Sequence, residues 1–335
     1  MGLYVRHPSS FGHETGAHPE NARRLLAIEE AMNARDWMSL EMLKAPAASP
    51  EQLLRVHGAE HIDAIESHVA AGAGMIDTDT ITSEGSWEAA LHAAGGAAAA
   101  AERLLQDGGG FAFCGTRPPG HHAERGQAMG FCLFNNVAVA AAHAVEACGA
   151  ERALVFDFDV HHGNGTEAIF YEDPSTLYAS VHQSPLYPGT GAAGDTGRGE
   201  GEGFTVNMPV PPGAGSEEFL SLTQHVIAPI AREHRPGILF LSAGYDAHRD
   251  DPLAQCDVTE EGYRQMAATF ASLGEELQAP VVICLEGGYN VTALASSVVA
   301  TIEGMQSGGE PSEAPDAPAA PYREHFAGSW PALRR

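Results

Sequence analysis

Apolar positions along this 335-residue chain follow two rhythms. Recurrence every three to four residues predicts amphipathic helices over 20–34, 50–56, 59–72, 86–106, 136–148, 216–234 and 259–277. Short unbroken apolar runs predict buried strands at 111–113, 176–182 and 203–210, and at the starts of 153–165, 237–248 and 280–290. Strands that read as continuous apolar runs belong to parallel sheets covered on both faces. Their alternation with helices predicts an α/β fold: a single domain with a central parallel sheet flanked by helices on both faces. Gly- and Pro-rich connections at 183–203 and 209–215 fall near strand ends, where binding loops usually lie. The division expected is a catalytic domain over 1–306, a Pro/Ala/Glu-rich low-complexity segment over 307–321 without regular structure, and a tail over 322–335. Phe326, Trp330 and Leu333 would dock that tail back on the domain.

Three apolar runs break into polar clusters. The run at 153–165 ends in Asp157, Asp159, His161 and His162, followed by a glycine-flanked turn containing Asn164. Strand residues two apart share a face, so Asp159 and His161 can present an oxygen and a nitrogen to one ion. Carboxylate plus imidazole without thiolate suits Zn²⁺, Fe²⁺ or Co²⁺ in a hydrolytic site. Burying two carboxylates without a cation is costly, which weighs against a purely structural cluster capping the next helix. The run at 237–248 delivers Asp246, and that at 280–290 delivers Glu286, Gly287, Gly288 and Tyr289. In parallel sheets the carboxyl ends of strands line one edge, where ligands bind. The loop Arg-Pro-Pro-Gly-His-His-Ala at 117–123 is stiffened by proline and would hold His121 and His122 for proton transfer.

Acidic residues outnumber Lys plus Arg by 44 to 18, a net charge of −26 that argues against a general nucleic-acid binder and would attract a cationic substrate. Cys114, Cys132, Cys148, Cys256 and Cys284 are odd in number and widely spaced, which reads as reduced, buried thiols in a cytoplasmic protein. The N-terminus lacks a signal-type apolar core, and His92 with a Gly pair breaks the Ala-rich stretch 89–101, so no membrane span is expected. A myristoylation pattern fails at Arg6.

Taken in order, Arg-Pro-Pro-Gly-His-His, Gly-Phe-Cys-Leu-Phe-Asn-Asn, Asp-Phe-Asp-Val-His-His-Gly-Asn-Gly, Ser-Ala-Gly-Tyr-Asp and Glu-Gly-Gly-Tyr-Asn resemble the zinc-dependent histone deacetylase family. The likeness runs from His18-Pro-Glu-Asn21 to about 305 and lies on the class II side, with bacterial histone deacetylase-like and acetylpolyamine amidohydrolases. It implies an arginase/deacetylase-type fold and hydrolysis of an N-acyl amide on a lysine or amine side chain. By that resemblance Asp159, His161 and Asp246 bind one Zn²⁺. His122 is the general base and then acid, and His121 is its partner oriented by Asp157. Tyr289 donates to the oxyanion, where a histidine would mark a weakly active subclass. Asn164 is the class II residue at a position usually aspartate in the other large branch, and it would bond His122. The family's K⁺ positions map to Asp157, Asp159, His161, Ser180 and Val181 for an inner ion, and to Phe170, Asp173, Thr176 and Phe204 for an outer one.

The resemblance also maps a narrow acyl-lysine tunnel to Gly130, Phe131, Tyr187, Leu253, Gly287 and Gly288. Tyr187 stands in place of the more usual phenylalanine. Leu253 stands where polyamine-selective relatives carry a glutamate, which favours acetyl-lysine in proteins or peptides over small acetylated amines such as acetylpolyamines. Two further readings stay open. A two-metal arginase or agmatinase relative would need an extra carboxylate where His162 and Gly163 stand, and a lysine-binding scaffold would be expected to lose a zinc ligand or the tyrosine.

Overall fold

A computed structural model of the chain describes residues 1–307 and 311–334. Residues 308–310 of the low-complexity segment and Arg335 of the tail lie outside the described residues. The strands are β1 (Gly2–Arg6), β2 (Glu41–Lys44), β3 (Gly74–Met75), β4 (Ile81–Thr82), β5 (Phe111–Cys114), β6 (Ala153–Asp157), β7 (Thr176–Gln183), β8 (Thr205–Val210), β9 (Ile238–Ala243) and β10 (Val281–Leu285). β3 and β4 make a small antiparallel pair, and the other eight form one sheet in the order β2-β1-β5-β10-β9-β6-β7-β8. Every pairing in that sheet is parallel. All strands therefore end on one edge. The four whose ends carry the candidate residues, β5, β10, β9 and β6, are consecutive in its middle.

Two buried clusters account for the helices on both faces. Along β6, Leu154 and Phe156 pack with Leu239, Leu241 and Ile283 on one side, under helices that supply Leu25, Met266, Phe270 and Val298. Ala153 and Val155 pack with Phe240, Val282 and Ala112 on the other, against the Ala-rich helix Ser86–Asp107 and the helix Asn136–Ala147. This period of two explains why the central strands read as continuous apolar runs.

The chain from 216 to 234 is one helical run with a wider turn at Thr223–Ile227, just ahead of Pro229. Pro229 lacks the N–H that a regular turn would use there. After residue 310 no helix or strand forms until Ala320, and Gln224 and His225 hold this stretch at Ser312 and Ala314. Phe326, Trp330 and Leu333 are buried, and Trp330 Nε1 donates to the Gly203 carbonyl at 2.9 Å. No helix among the described residues is long and apolar enough to cross a membrane.

Candidate active site

Asp159 and His161 do not lie on a strand face, as their spacing suggested. The β6 ladder stops at Asp157, and beyond Phe158 the chain bends so that its own side chains cap its backbone. His161 N donates to Asp159 Oδ1 at 2.9 Å, and Val160 N donates to Asp246 Oδ1 at 3.0 Å. The bend aims His161 Nδ1 at both carboxylates, 3.1 Å from Asp159 Oδ1 and 3.1 Å from Asp246 Oδ2. From the turn after β10, Gly287 N donates to Asp159 Oδ2 at 2.8 Å. Gly287 must be glycine, since a Cβ there would meet Asp246 Oδ2 at 2.1 Å.

These three side chains fit a divalent cation. One donor atom from each lies within 4.8 Å of the others, and both carboxylates are fully buried. Burial alone would lower the pKa of His161, but Asp159 and Asp246 overcome it and raise it to about 10. The cation-free cluster thus draws a proton onto the imidazole, and an ion bound by the same atoms would displace that proton.

Beside them lie the two histidines of the loop after β5. Glu286 anchors this loop, accepting from Gly120 N at 2.6 Å, His121 N at 3.1 Å and Ser242 Oγ at 2.8 Å. Burial pushes the Glu286 carboxyl up to about 7. His121 Nδ1 is 2.9 Å from Asp157 Oδ2, and Asp157 with Asp159 outweighs burial to raise the His121 pKa to about 10. His122 is the opposite case. Burial, then the charges of His121 and His161, holds it well below the ordinary imidazole value. Its Nδ1 lies 2.8 Å from Asn164 Oδ1, while Asn164 Nδ2 donates to Glu124 Oε1 at 2.8 Å.

This pairing carries a pH prediction. The acid limb of kcat/KM, set by protonation of His122, should lie below the ordinary imidazole range. Asn164→Asp, made in a Glu124→Gln background so that no carboxylate pair forms, should move that limb to higher pH, because a carboxylate favours the protonated ring. An unmoved limb would remove His122 as the titrating base.

Tyr289 emerges from the Gly287–Gly288 turn with its backbone N donating to Asp251 Oδ2 at 2.7 Å. Burial and then the Asp246 charge raise the Asp251 carboxyl to about 7. The Tyr289 ring lies 5.2 Å from the Arg24 guanidinium and edge-on to Phe131 at 5.8 Å. Its hydroxyl has no hydrogen-bond partner among the described residues and is free to meet a ligand. Gly130 has φ +55°, and a Cβ there would meet the His122 ring at 2.4 Å. Tyr187 stands edge-on to His122, with centroids 5.2 Å apart, so the ring from the Gly- and Pro-rich connection 183–203 does reach the site. Leu253 lies at the rim, 37% exposed, with its N–H bonded to Asp251.

The remaining mapped positions are placed less completely. Asp157 and Ser180 are neighbours in register across β6 and β7, and Val181 follows Ser180. Phe170, Asp173 and Thr176 line one hollow of about 90 Å³, with the buried Thr176 hydroxyl lacking a partner. Phe204 is not part of that lining; its carbonyl accepts from Tyr178 N, and its ring packs on Trp330.

Five contributors, Arg24, Glu20, Arg117, Glu124 and Ser242, were given no role by sequence reasoning. Arg24 donates to the Gly288 carbonyl at 2.6 Å and to the Glu286 carbonyl, and Glu20 and Arg117 complete a buried network behind it. Glu124 and Ser242 orient other site residues through single hydrogen bonds. Glu20, Arg117 and Ser242 fall inside the His-Pro-Glu-Asn, Arg-Pro-Pro-Gly-His-His and Ser-Ala-Gly-Tyr-Asp motifs, whereas Arg24 and Glu124 lie outside every motif quoted.

Residues 18–305 match the histone deacetylase domain. A probable deacetylase of Methanothermobacter thermautotrophicus is 40% identical over 305 residues, covering 90% of each chain. A histone deacetylase-like amidohydrolase of Pseudomonas aeruginosa is 37% identical over 90% of this chain and 79% of its own. The crystal structure of the HDA15 HD domain superposes with a TM-score of 0.91 at 36% identity, covering 99% of this chain and 97% of that one. The chain belongs to the histone deacetylase family. Its fold is that family's arginase/deacetylase fold, and its domain is a deacetylase domain.

Proposed function

We propose that the protein is a zinc-dependent amidohydrolase that removes acetyl groups from lysine side chains of proteins or peptides. The observation that carries this reading is the convergence of Asp159, His161 and Asp246 beside a low-pKa histidine and an unpartnered tyrosine hydroxyl. Zn²⁺ held by those three residues would polarise the substrate carbonyl and acidify water. His122, kept neutral by its surroundings, takes the water proton and returns it to the departing amine. His121, charged through Asp157, contributes fixed positive charge beside it. The Tyr289 hydroxyl donates to the oxygen on which negative charge develops. Phe131 and Tyr187 flank the approach, where an extended aliphatic chain packs between aromatic rings. K⁺ at the positions around Ser180 and Thr176 would be structural. Cys114 and Cys284 are free thiols opposite each other across β5 and β10, which accords with a reducing, cytoplasmic setting.

Deacetylation of small cationic amines is the second reading. Asp77 and Asp79 favour it, because their charges reach the exposed Tyr187 at the mouth. Comparing kcat/KM of the zinc-loaded protein on an acetyl-lysine peptide and an acetylpolyamine decides between them. A larger value on the peptide is expected, and a larger value on the polyamine would overturn the first reading. Leu253→Glu should shift the ratio several-fold toward the polyamine, in the range of a rim ion pair worth about 0.2–1 kcal/mol. The two-metal reading is weakened by His162, which bonds Thr190 at 2.8 Å and Glu167 at 3.1 Å and so is committed elsewhere.

A further inference from the structure

Among the described residues, a second group of side chains with metal-ligating chemistry lies away from the catalytic edge. Glu102, His143 and Cys148 each offer one donor atom, and these atoms lie within 4.8 Å of one another. Glu102 sits on the helix Ser86–Asp107, His143 on the helix Asn136–Ala147, and Cys148 caps the latter. Both helices end just before strands begin, at β5 and β6 respectively, so Glu102 and Cys148 belong to the edge of the sheet opposite the one bearing Asp159.

We propose that Glu102, His143 and Cys148 form a second, non-catalytic site for a borderline-soft divalent cation of the Zn²⁺ class. The state of His143 is the first argument. Its side chain is 12% exposed, and both ring nitrogens are shielded from solvent without a hydrogen-bond partner. Glu102 Oε2 stands 3.6 Å from Nε2, too far for a hydrogen bond and suited to an ion between them. An imidazole hidden in this way costs the fold unless something takes up a nitrogen lone pair.

Cys148 is the second argument. It is the only one of the five cysteines that is not buried, and it closes a hollow of about 270 Å³ lined also by Glu102, Leu105, Gln106 and Ala147. The metal-free group is a thiol, as an unactivated cysteine is at neutral pH. Binding forms metal–sulfur, metal–nitrogen and metal–oxygen bonds and releases the thiol proton to solvent. One thiolate, one imidazole and one carboxylate fill three tetrahedral positions, and the hollow admits water as the fourth ligand. The thiolate discriminates against Mg²⁺ and Ca²⁺, which prefer oxygen.

The catalytic trio contains no sulfur, which makes the test selective. The full chain is stripped of metal, titrated with Co²⁺, and followed by bound metal per chain and by the ultraviolet thiolate-to-cobalt charge-transfer band. The wild type is expected to show the band and to bind one ion more than Cys148→Ser or His143→Ala. Both variants should lose the band and keep deacetylase activity. A wild type without the band, a band that survives Cys148→Ser, or equal metal content in wild type and both variants would overturn the second site and leave the deacetylase reading untouched.

Discussion

Tyr289→Phe is expected to lower kcat for acetyl-lysine hydrolysis by on the order of 10²-fold or more, with zinc content and thermal stability unchanged. The substitution removes only the hydroxyl. Every contact that places the ring survives it: the Arg24 guanidinium 5.2 Å away, the Phe131 edge and the Tyr289 backbone bond to Asp251. The hydroxyl itself bonds nothing among the described residues, so its loss leaves no buried group there unpaired. The effect should fall on kcat rather than KM, because the donor acts on charge that develops in the transition state. Steady-state kinetics beside metal analysis and thermal melting checks this. A wild-type kcat would exclude the hydroxyl from the chemistry, and a loss of metal or of melting temperature would assign the residue to structure instead.

The parts of the molecule that were legible in the sequence share a physical cause. A residue that must reach a ligand at the carboxyl end of a buried strand interrupts an apolar run, and such breaks at Asp157, Asp246 and Glu286 stand out. The helix Val291–Gln306 was missed because it is made largely of Ala, Val, Ser and Thr and is buried on most sides, so it shows no amphipathic rhythm. Its start is marked by Asn290, whose side chain accepts from Thr292 N and Ala293 N. β2 was missed because it is a four-residue, largely exposed edge strand, and β1 because five residues at a terminus carry little periodicity. The convergence of Asp159 and His161 was foreseen, but its cause was not. Hydrogen bonds across the bend do what strand alternation was expected to do. Arg24 was illegible for a different reason: besides Glu20, its partners are backbone carbonyls more than 260 residues away in sequence.

Glu20→Gln is expected to destabilise the fold by about 3–5 kcal/mol, the cost of leaving buried charge uncompensated. Glu20 stands between two arginines that have no exposure at all. Arg24 Nη1 reaches Glu20 Oε1 at 3.1 Å, and Arg117 grips both carboxylate oxygens, at 2.6 Å on Oε2. Burial alone would raise the Glu20 carboxyl, but Arg117 and His13 hold it well below the usual carboxylate range. A pKa lowered by folding means that the ionised group stabilises the fold. That stabilisation is fully present above the unfolded value of about 4.3 and is lost as pH falls from there toward the folded-state pKa. Urea denaturation of wild type and variant should therefore give a gap that is constant between about pH 5 and pH 8 and narrows in acid. A gap that widened in acid would reverse the assignment. Because Arg24 also pins the Gly288 carbonyl at 2.6 Å, kcat/KM should fall in the folded variant as the turn that presents Tyr289 loosens. This would link the buried ion network to the reacting edge of the sheet.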